Sequence, residues 1–264
     1  MILSKISIIS PISFRGTYVK RLVAYITTGY PDAAFTVDLA RAMAEAGVDT
    51  LELGIPFSDP VADGPVIESA NLKALEAGFR LEHLFQVSRQ IAPAIDTLWM
   101  GYFNPFYHRG LENFVTEAAA AGVNGFIIPD LPFEEARPYK PMIEEAGLSL
   151  IDFIAPTDTP DRIAMIAADA RKFLYLVAYA GITGSGESED LSSVIAQIRE
   201  HTATPVYLGF GVTPETAKEK ARNVDGVIVG SAFVKILLDE SLGSTEKIAK
   251  ISAMARQIKE AIND

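Results

Sequence analysis

Short runs of β-branched, aromatic and aliphatic residues alternate along this chain with longer, often Ala-rich segments that carry apolar residues at helical spacing. This alternation is typical of repeated βα units, which build a parallel sheet. Eight strands, each followed by a helix, predict a single (β/α)8 TIM barrel with its functional site on the loops after the strands. The predicted strands are 22–27, 50–53, 97–102, 125–128, 149–153, 173–177, 206–209 and 227–229.

The length fits one domain of this kind. With 264 residues, 49% of them hydrophobic, the chain can fill the core of an α/β barrel, which usually takes about 250 residues. No linker, low-complexity tract or charge block divides it, so residues 1–264 are predicted to form a single domain. Residues 1–20 are interpreted as an N-terminal extension, because Pro11 interrupts the Ile-rich start and no signal-peptide cleavage site follows.

Composition argues against several classes of function. A formal net charge of −11 and a sequence pI near 4.8 disfavour binding to nucleic acid or anionic membranes. The absence of cysteine excludes thiol nucleophiles, disulfides and thiolate metal sites. His83, His108 and His201 have no partner at metal-ligand spacing, so no metal site is expected. Because no apolar run approaches the ~20 residues that span a bilayer, a cytoplasmic protein is expected.

Two carboxylates stand out in the segment Leu51 to Pro65, LELGIPFSDPVADGP. Glu52 lies in a strand-like run opposite Leu51 and Leu53, so in a closed barrel its side chain points inward. Burial there raises the pKa of a carboxyl group and permits proton exchange near neutral pH. Asp63 lies in the Pro- and Gly-rich loop that follows. The pair suits acid–base catalysis; the alternatives are a structural role for Glu52 and turn formation for Asp63.

Glycine-rich turns follow the seventh and eighth predicted strands. Gly209-Phe-Gly211 follows the seventh, and Gly230-Ser231 leads directly into the helical segment 232–238. Barrels often bind phosphate at this place, with backbone amides and a helix N-terminus as the donors, so a basic patch is not required. The alternative is that both are ordinary tight turns. The loop 180–188 after the sixth strand is long enough to act as a lid.

Three strand residues, Tyr175, Trp99 and Met100, each have a packing interpretation and a functional one. Tyr175 alternates with Leu174 and Leu176 in the sixth predicted strand, so it either fills the barrel or lines a pocket. Trp99 and Met100 are interpreted as barrel packing rather than as part of a cofactor site.

The segment Leu51 to Pro65 resembles the signature of the tryptophan synthase α subunit family, and the resemblance extends from about Val23 to the last helix. That family is a (β/α)8 barrel that cleaves indole-3-glycerol phosphate to indole and glyceraldehyde 3-phosphate. The resemblance implies a carbon–carbon lyase of tryptophan biosynthesis with no metal or cofactor of its own. The partner that it implies is a pyridoxal-phosphate-dependent β subunit, which receives the indole in an α2β2 heterotetramer. Further matching segments are 28–31, 102–105, 129–132, 183–184, 209–211 and 230–235.

The resemblance also implies roles for individual residues. Glu52 would be the catalytic acid and base, and Asp63 would accept a hydrogen bond from the indole N–H and stabilise positive charge there. Substrate binding would fall to Tyr175 and Thr183, which shape and close the pocket, to the apolar walls Met100, Ile127, Phe210 and Ile228, and to Gly184, Phe210, Gly211, Gly230 and Ser231 around the phosphate. The interface with the β subunit would include Pro56, Asp59, Asn104 and Asp130.

Two other functions are alternatives to the lyase. One is a catalytically weak partner whose main task is to activate a β subunit, which the unusual sixth loop, with Ala178-Tyr-Ala180 at its start, makes worth testing. The other is a different phosphate-binding barrel enzyme, such as a sugar-phosphate isomerase or aldolase. No Lys stands at a strand end where it would form a Schiff base, which disfavours the second alternative.

Overall fold

The computed structural model describes residues 19–178 and 191–264. Within those ranges the chain forms a parallel sheet that curls into a barrel, with helices around it. The strands are β1 Arg21–Thr27, β2 Thr50–Gly54, β3 Asp96–Met100, β4 Gly125–Ile127, β5 Ser149–Leu150, β6 Asp152–Ile154, β7 Leu174–Val177, β8 Val206–Gly209 and β9 Gly226–Val229.

The barrel closes within one segment of chain. The hydrogen-bonded order is β5-β4-β3-β2-β1-β9-β8-β7-β6, so the two ends of the sheet are the consecutive strands β5 and β6. Ile151, between them, donates its N–H to the carbonyl of Phe126 at 2.9 Å. The sequence predicted eight strands, and the described ranges contain nine, because the predicted strand 149–153 pairs with β4 through its first half and with β7 through its second.

The helices surround the barrel, and some of them lie in the connections that follow the carboxyl ends of the strands. β2, β3, β4 and β9 are each followed by two helices rather than one, and β3 ends at Met100, two residues before its predicted end. The helices are α1 Ala33–Glu45, α2 Pro65–Glu76, α3 Leu81–Ile91, α4 Phe103–His108, α5 Leu111–Ala120, α6 Phe133–Ala136, α7 Lys140–Glu145, α8 Pro160–Asp169, α9 Ser192–His201, α10 Ala217–Lys220, α11 Ser231–Leu238 and α12 Ser244–Ala261.

Local capping explains several helix ends. Thr159 precedes Pro160, a pattern that favours a helix start, and it accepts a hydrogen bond from the N–H of Arg162 at the start of α8. The same Thr-Pro pattern at Thr213-Pro214 favours a helix start there, and that prediction is wrong, since α10 begins only at Ala217. There the Thr216 hydroxyl binds the N–H of Thr213 and the carbonyl of Gly211, which makes a turn of the intervening residues.

Two apolar layers hold the barrel. The inner layer fills the barrel axis and includes Val23, Leu98 and Ile151, with Phe173 stacked on Tyr207 at a ring distance of 4.5 Å. The outer layer lies between strands and helices. Trp99 belongs to the outer layer, where it packs among aromatic rings and donates its indole N–H to the Ser88 hydroxyl at 2.8 Å. Its interpretation as a packing residue is therefore confirmed.

None of the helices in the described ranges combines the length and apolar character needed to cross a membrane.

Candidate active site

Glu52 lies at the centre of β2 with its side chain inside the barrel. It is the register partner of Tyr25 on β1 and of Leu98 on β3, and only 1% of its surface is exposed. Its Oε1 atom has no hydrogen-bond partner among the described residues. Burial raises the pKa of Glu52 to about 8. A carboxyl group in this state is mostly protonated at neutral pH and can both give and take a proton.

Asp63 lies in the loop between β2 and α2 and differs from Glu52 in having polar partners. The Asn71 side chain donates to its Oδ2 from 3.3 Å, and the Tyr102 hydroxyl forms a second hydrogen bond with the carboxylate. Burial raises the pKa of Asp63, and these two hydrogen bonds oppose the rise, so it lies at about 6. Asp63 is therefore mostly ionised at neutral pH, while Glu52 is mostly protonated.

Tyr102 anchors the loop that carries Asp63. Its hydroxyl accepts the N–H of Ala62 at 3.0 Å, and its ring stacks on Phe57 at 5.4 Å. Burial, followed by the charge of Asp63, raises the pKa of the Tyr102 hydroxyl, so it remains a hydrogen-bond donor. Sequence reasoning gave Tyr102 no separate role, although its place at the carboxyl end of a predicted barrel strand was a usable signal.

Two buried tyrosines line the interior near the carboxylates. Tyr175 on β7 and Tyr25 on β1 are 7% and 4% exposed. Burial raises the pKa of both hydroxyls, and the charges of Glu52 and Asp63 add to the rise, which places all four side chains in one electrostatic neighbourhood. Tyr25 was missed at the sequence level. Its inward position could have been inferred, because Val23 and Tyr25 are two residues apart in one strand and therefore lie on the same face.

The predicted apolar walls are brought together only in part. Ile127 and Ile228 are buried in the inner layer, and Met100 packs against it. Phe210 is instead 47% exposed and has a positive φ of 80°, which is uncommon for a residue with a side chain. It lies at the rim of the barrel. Thr183 and Gly184 lie outside the described residues.

The candidate phosphate site lies at the carboxyl ends of β8 and β9. Gly211 has a φ of 69°, and a Cβ atom placed on it would meet nothing within 4 Å, so the backbone there faces open space. Helix α11 begins at Ser231, and its N-cap residue, Gly230, has no side chain that could cap it. The first amides of a helix have no partner inside it, so the N-terminal turn of α11 offers donors to an anion.

The four predicted interface residues follow β2, β3 and β4 in the chain, with Pro56, Asp59 and Asp130 in loops and Asn104 in α4. Pro56 is buried, whereas Asp59, Asn104 and Asp130 are exposed. Asp130 accepts the N–H of Phe103, the first residue of α4, at 2.8 Å, so it connects two neighbouring loops. The contact reaches a neighbouring segment and lies outside Asp130's own turn, Pro129 to Pro132.

The interior of the barrel holds a buried carboxyl group of raised pKa, and the loop that follows its strand carries a second acidic group. These features define the class of protein, a (β/α)8-barrel enzyme equipped for acid–base chemistry. The family model of the tryptophan synthase alpha chain matches residues 15–263. The chain belongs to this family. Its members cleave indole-3-glycerol phosphate as carbon–carbon lyases in tryptophan biosynthesis, and the pyridoxal phosphate of the pathway's last step is held by the β subunit.

Individual relatives agree with this assignment. The tryptophan synthase alpha chain of Wolinella succinogenes is 58% identical over 252 residues, covering 95% of this chain and 99% of the relative. That of Dehalococcoides mccartyi is 44% identical over 243 residues, with 90% and 94% covered. Among solved structures, Mycobacterium tuberculosis tryptophan synthase superposes with a TM-score of 0.85 at 33% identity and 96% coverage of both chains. The alpha subunit from Legionella pneumophila gives 0.82 at 34% identity and 92% coverage of both.

Proposed function

We propose that Glu52 is the group that moves both protons in the cleavage of indole-3-glycerol phosphate. The observation that carries this assignment is its position, fully buried in the barrel interior with an unpartnered carboxyl oxygen and a pKa raised to about 8. A buried carboxyl oxygen without a partner destabilises the fold, and for Oε1, which has none among the described residues, a substrate atom would supply it.

The reaction requires a net proton transfer within the substrate. Protonated Glu52 gives its proton to the indole ring carbon that carries the side chain, which leaves a cationic ring. The resulting carboxylate then removes the proton from the side-chain hydroxyl as the carbon–carbon bond breaks. The bonding electrons return to the ring, the hydroxyl carbon becomes the aldehyde of glyceraldehyde 3-phosphate, and Glu52 is protonated again. One residue thus acts as acid and then as base, and no external proton is consumed.

Asp63 serves the cationic stage of this sequence. Its carboxylate is ionised at neutral pH because its hydrogen bonds oppose the effect of burial. It accepts the indole N–H and stabilises the positive charge that the ring acquires on protonation. The two carboxyl groups therefore take different roles because their surroundings differ: Glu52 has no hydrogen-bond partner for Oε1, and Asp63 has two donors.

The remaining groups bind the ends of the substrate. Tyr175, Met100, Ile127 and Ile228 line the apolar interior that receives the indole ring, with Phe210 at the rim. Gly211, Gly230 and Ser231 present backbone amides to the phosphate. Thr183 and Gly184 keep the roles that the family resemblance gives them, the first in pocket closure and the second near the phosphate.

The loops after β2, β3 and β4 form the face for a β subunit in an α2β2 assembly. Asp59, Asn104 and Asp130 are exposed there, and Pro56 is buried. Two large apolar side chains in the same segments, Val61 and, in α4, Tyr107, are 83% and 65% exposed, which supports a partner surface. We place the assembly in the cytoplasm.

The decisive experiment measures indole formation from indole-3-glycerol phosphate by wild type and Glu52→Gln, with and without a β subunit. A general acid–base group contributes roughly 10²- to 10⁴-fold to the rate, and Glu52 moves two protons, so we expect a loss at the upper end. Substrate affinity and activation of the β subunit should survive, since those surfaces lie elsewhere. Retention of more than about a tenth of the rate would reject the assignment.

A further inference from the structure

Asn71 is a buried polar residue that contacts Asp63 and takes no direct part in the proton transfers. It lies on α2 and is 2% exposed. Its Nδ2 lies 3.3 Å from Oδ2 of Asp63. An ionised carboxylate only accepts hydrogen bonds, so the amide nitrogen and not the amide oxygen must face Asp63. The side chain is thereby held in one orientation.

That orientation leaves a second polar atom without a partner. Oδ1 of Asn71 is buried and accepts no hydrogen bond from the described residues. An unpaired buried amide oxygen destabilises a fold, and the adjacent inward positions of the same helix, Ala70 and Ala74, are apolar. Within the described residues, the contact with Asp63 is therefore the side-chain hydrogen bond that accounts for an Asn at this buried position.

Helix α2 is a firm support for such a contact. Its residue Ala70 packs in one cluster with Tyr25 of β1 and Val234 of α11. Tyr25 stands inside the barrel beside Glu52, and α11 begins at the candidate phosphate site. A donor on α2 is thus fixed relative to both ends of the substrate pocket.

We propose that Asn71 is a positioning residue, which holds the carboxylate of Asp63 ionised and in one orientation through the hydrogen bond from its Nδ2. The inference rests on the function proposed for Asp63. Asn71 acts through Asp63 and not on the substrate, so its loss should change the pH dependence of the reaction more than the affinity for substrate.

The test is the pH profile of kcat/KM for indole formation by wild type and Asn71→Leu, which has a similar volume and no donor. Losing a hydrogen bond to a charged group favours the protonated form of Asp63, and we expect the acidic limb to move upward by about one pH unit. Indole formation should fall about five- to tenfold between pH 5 and 6 and less than about twofold at pH 8. KM should change little.

Asn71→Asp is the second variant, because it keeps the shape of the side chain and guards against a folding defect in Asn71→Leu. A second carboxylate beside Asp63 should move the acidic limb further still. The control is Leu72→Ala, an exposed neighbour on the same helix. A rate loss that is equal at every pH, or an acidic limb at the wild-type position in both Asn71 variants, would overturn the proposal.

The variant Asp63→Asn distinguishes a failure of the Asn71 proposal from a failure of the role proposed for Asp63. If Asp63→Asn retains the wild-type rate and the acidic limb, the role of Asp63 is wrong. If Asp63→Asn removes the limb and the Asn71 variants do not move it, only the assignment of Asn71 fails. The double variant Asn71→Leu with Asp63→Asn should be no slower than Asp63→Asn alone, since Asn71 then has nothing to position.

Discussion

Tyr25 of β1 and Gly54 of β2 pack against each other inside the barrel: a Cβ atom at position 54 would lie 2.2 Å from the Tyr25 hydroxyl oxygen. Gly209 and Tyr175 repeat the arrangement between β8 and β7, with 2.3 Å to the tyrosine ring. In both cases a glycine on one strand makes the room for an inward aromatic ring on its neighbour. The tyrosines that flank the two carboxyl groups therefore owe their positions to these glycines.

Gly54→Ala is predicted to disturb the site through Tyr25. The methyl group would displace a ring that is fully enclosed, at a cost of about 1–3 kcal/mol of stability. Because Tyr25 is the register partner of Glu52, indole formation should fall about 10- to 100-fold. The measurements are thermal unfolding and the rate at saturating substrate. Gly243→Ala is the matched control, since a Cβ there would meet Glu246 only at 3.6 Å. An unchanged rate in Gly54→Ala would show that the position of Tyr25 does not matter.

The activity should have a bell-shaped dependence on pH. Asp63 must be ionised, so kcat/KM should fall as the pH drops through about 6. Glu52 must begin protonated, so kcat/KM should also fall as the pH rises through about 8. Asp63→Asn should remove the acidic limb and leave the alkaline one, as followed by initial rates of indole release across this range. An alkaline limb that survives in the residual activity of Glu52→Gln would assign that limb to another group.

Gly211→Val is predicted to weaken phosphate binding. Gly211 has a positive φ of 69° beside open space, so a β-branched residue both strains the backbone and blocks the approach of an anion to the amides. Calorimetry with glycerol 3-phosphate measures the effect, for which we expect a loss of at least about tenfold in affinity.

Gly147→Val controls for backbone strain in that experiment. Gly147 also has a positive φ, 78°, and open space around its Cβ position, but it precedes β5 and so lies at the opposite end of the barrel. Both variants should lose stability, and only Gly211→Val should lose affinity. Equal affinity in the two would move the phosphate site away from Gly211.

Asp130→Ala is predicted to weaken coupling to the β subunit. The substitution leaves the N–H of Phe103 without its acceptor and frees the loop that starts α4, which costs about 1 kcal/mol of stability. Stimulation of the β reaction should fall more than thermal stability does. Asp32→Ala is the matched control, because Asp32 also caps a helix, α1, from a loop outside the predicted interface. A loss of stability in both variants, with β stimulation intact in both, would restrict Asp130 to capping.

The sequence by itself determined the architecture, and it predicted the two carboxyl groups proposed for the chemistry. Alternating strand and helix patterns can satisfy their buried faces only in a parallel sheet covered by helices, and eight such units close into a barrel. The position of Glu52 opposite Leu51 and Leu53 followed from the two-residue period of a strand. The prediction of an anion site at the glycine turns followed from their places after the last two strands. These features are local, so they can be read from neighbouring residues.

The tertiary structure alone decided which side chains meet. The break at Ile151 exists because one short segment must pair with β4 on one side and β7 on the other, which no local pattern records. Asn71 and Tyr102 reach Asp63 from a following helix and a neighbouring loop, and Asp130 reaches Phe103 across 27 positions of sequence. The pKa of each carboxyl group depends on such distant partners and on burial by the whole barrel, so the separation of Glu52 from Asp63 into acid and anion is a property of the folded chain.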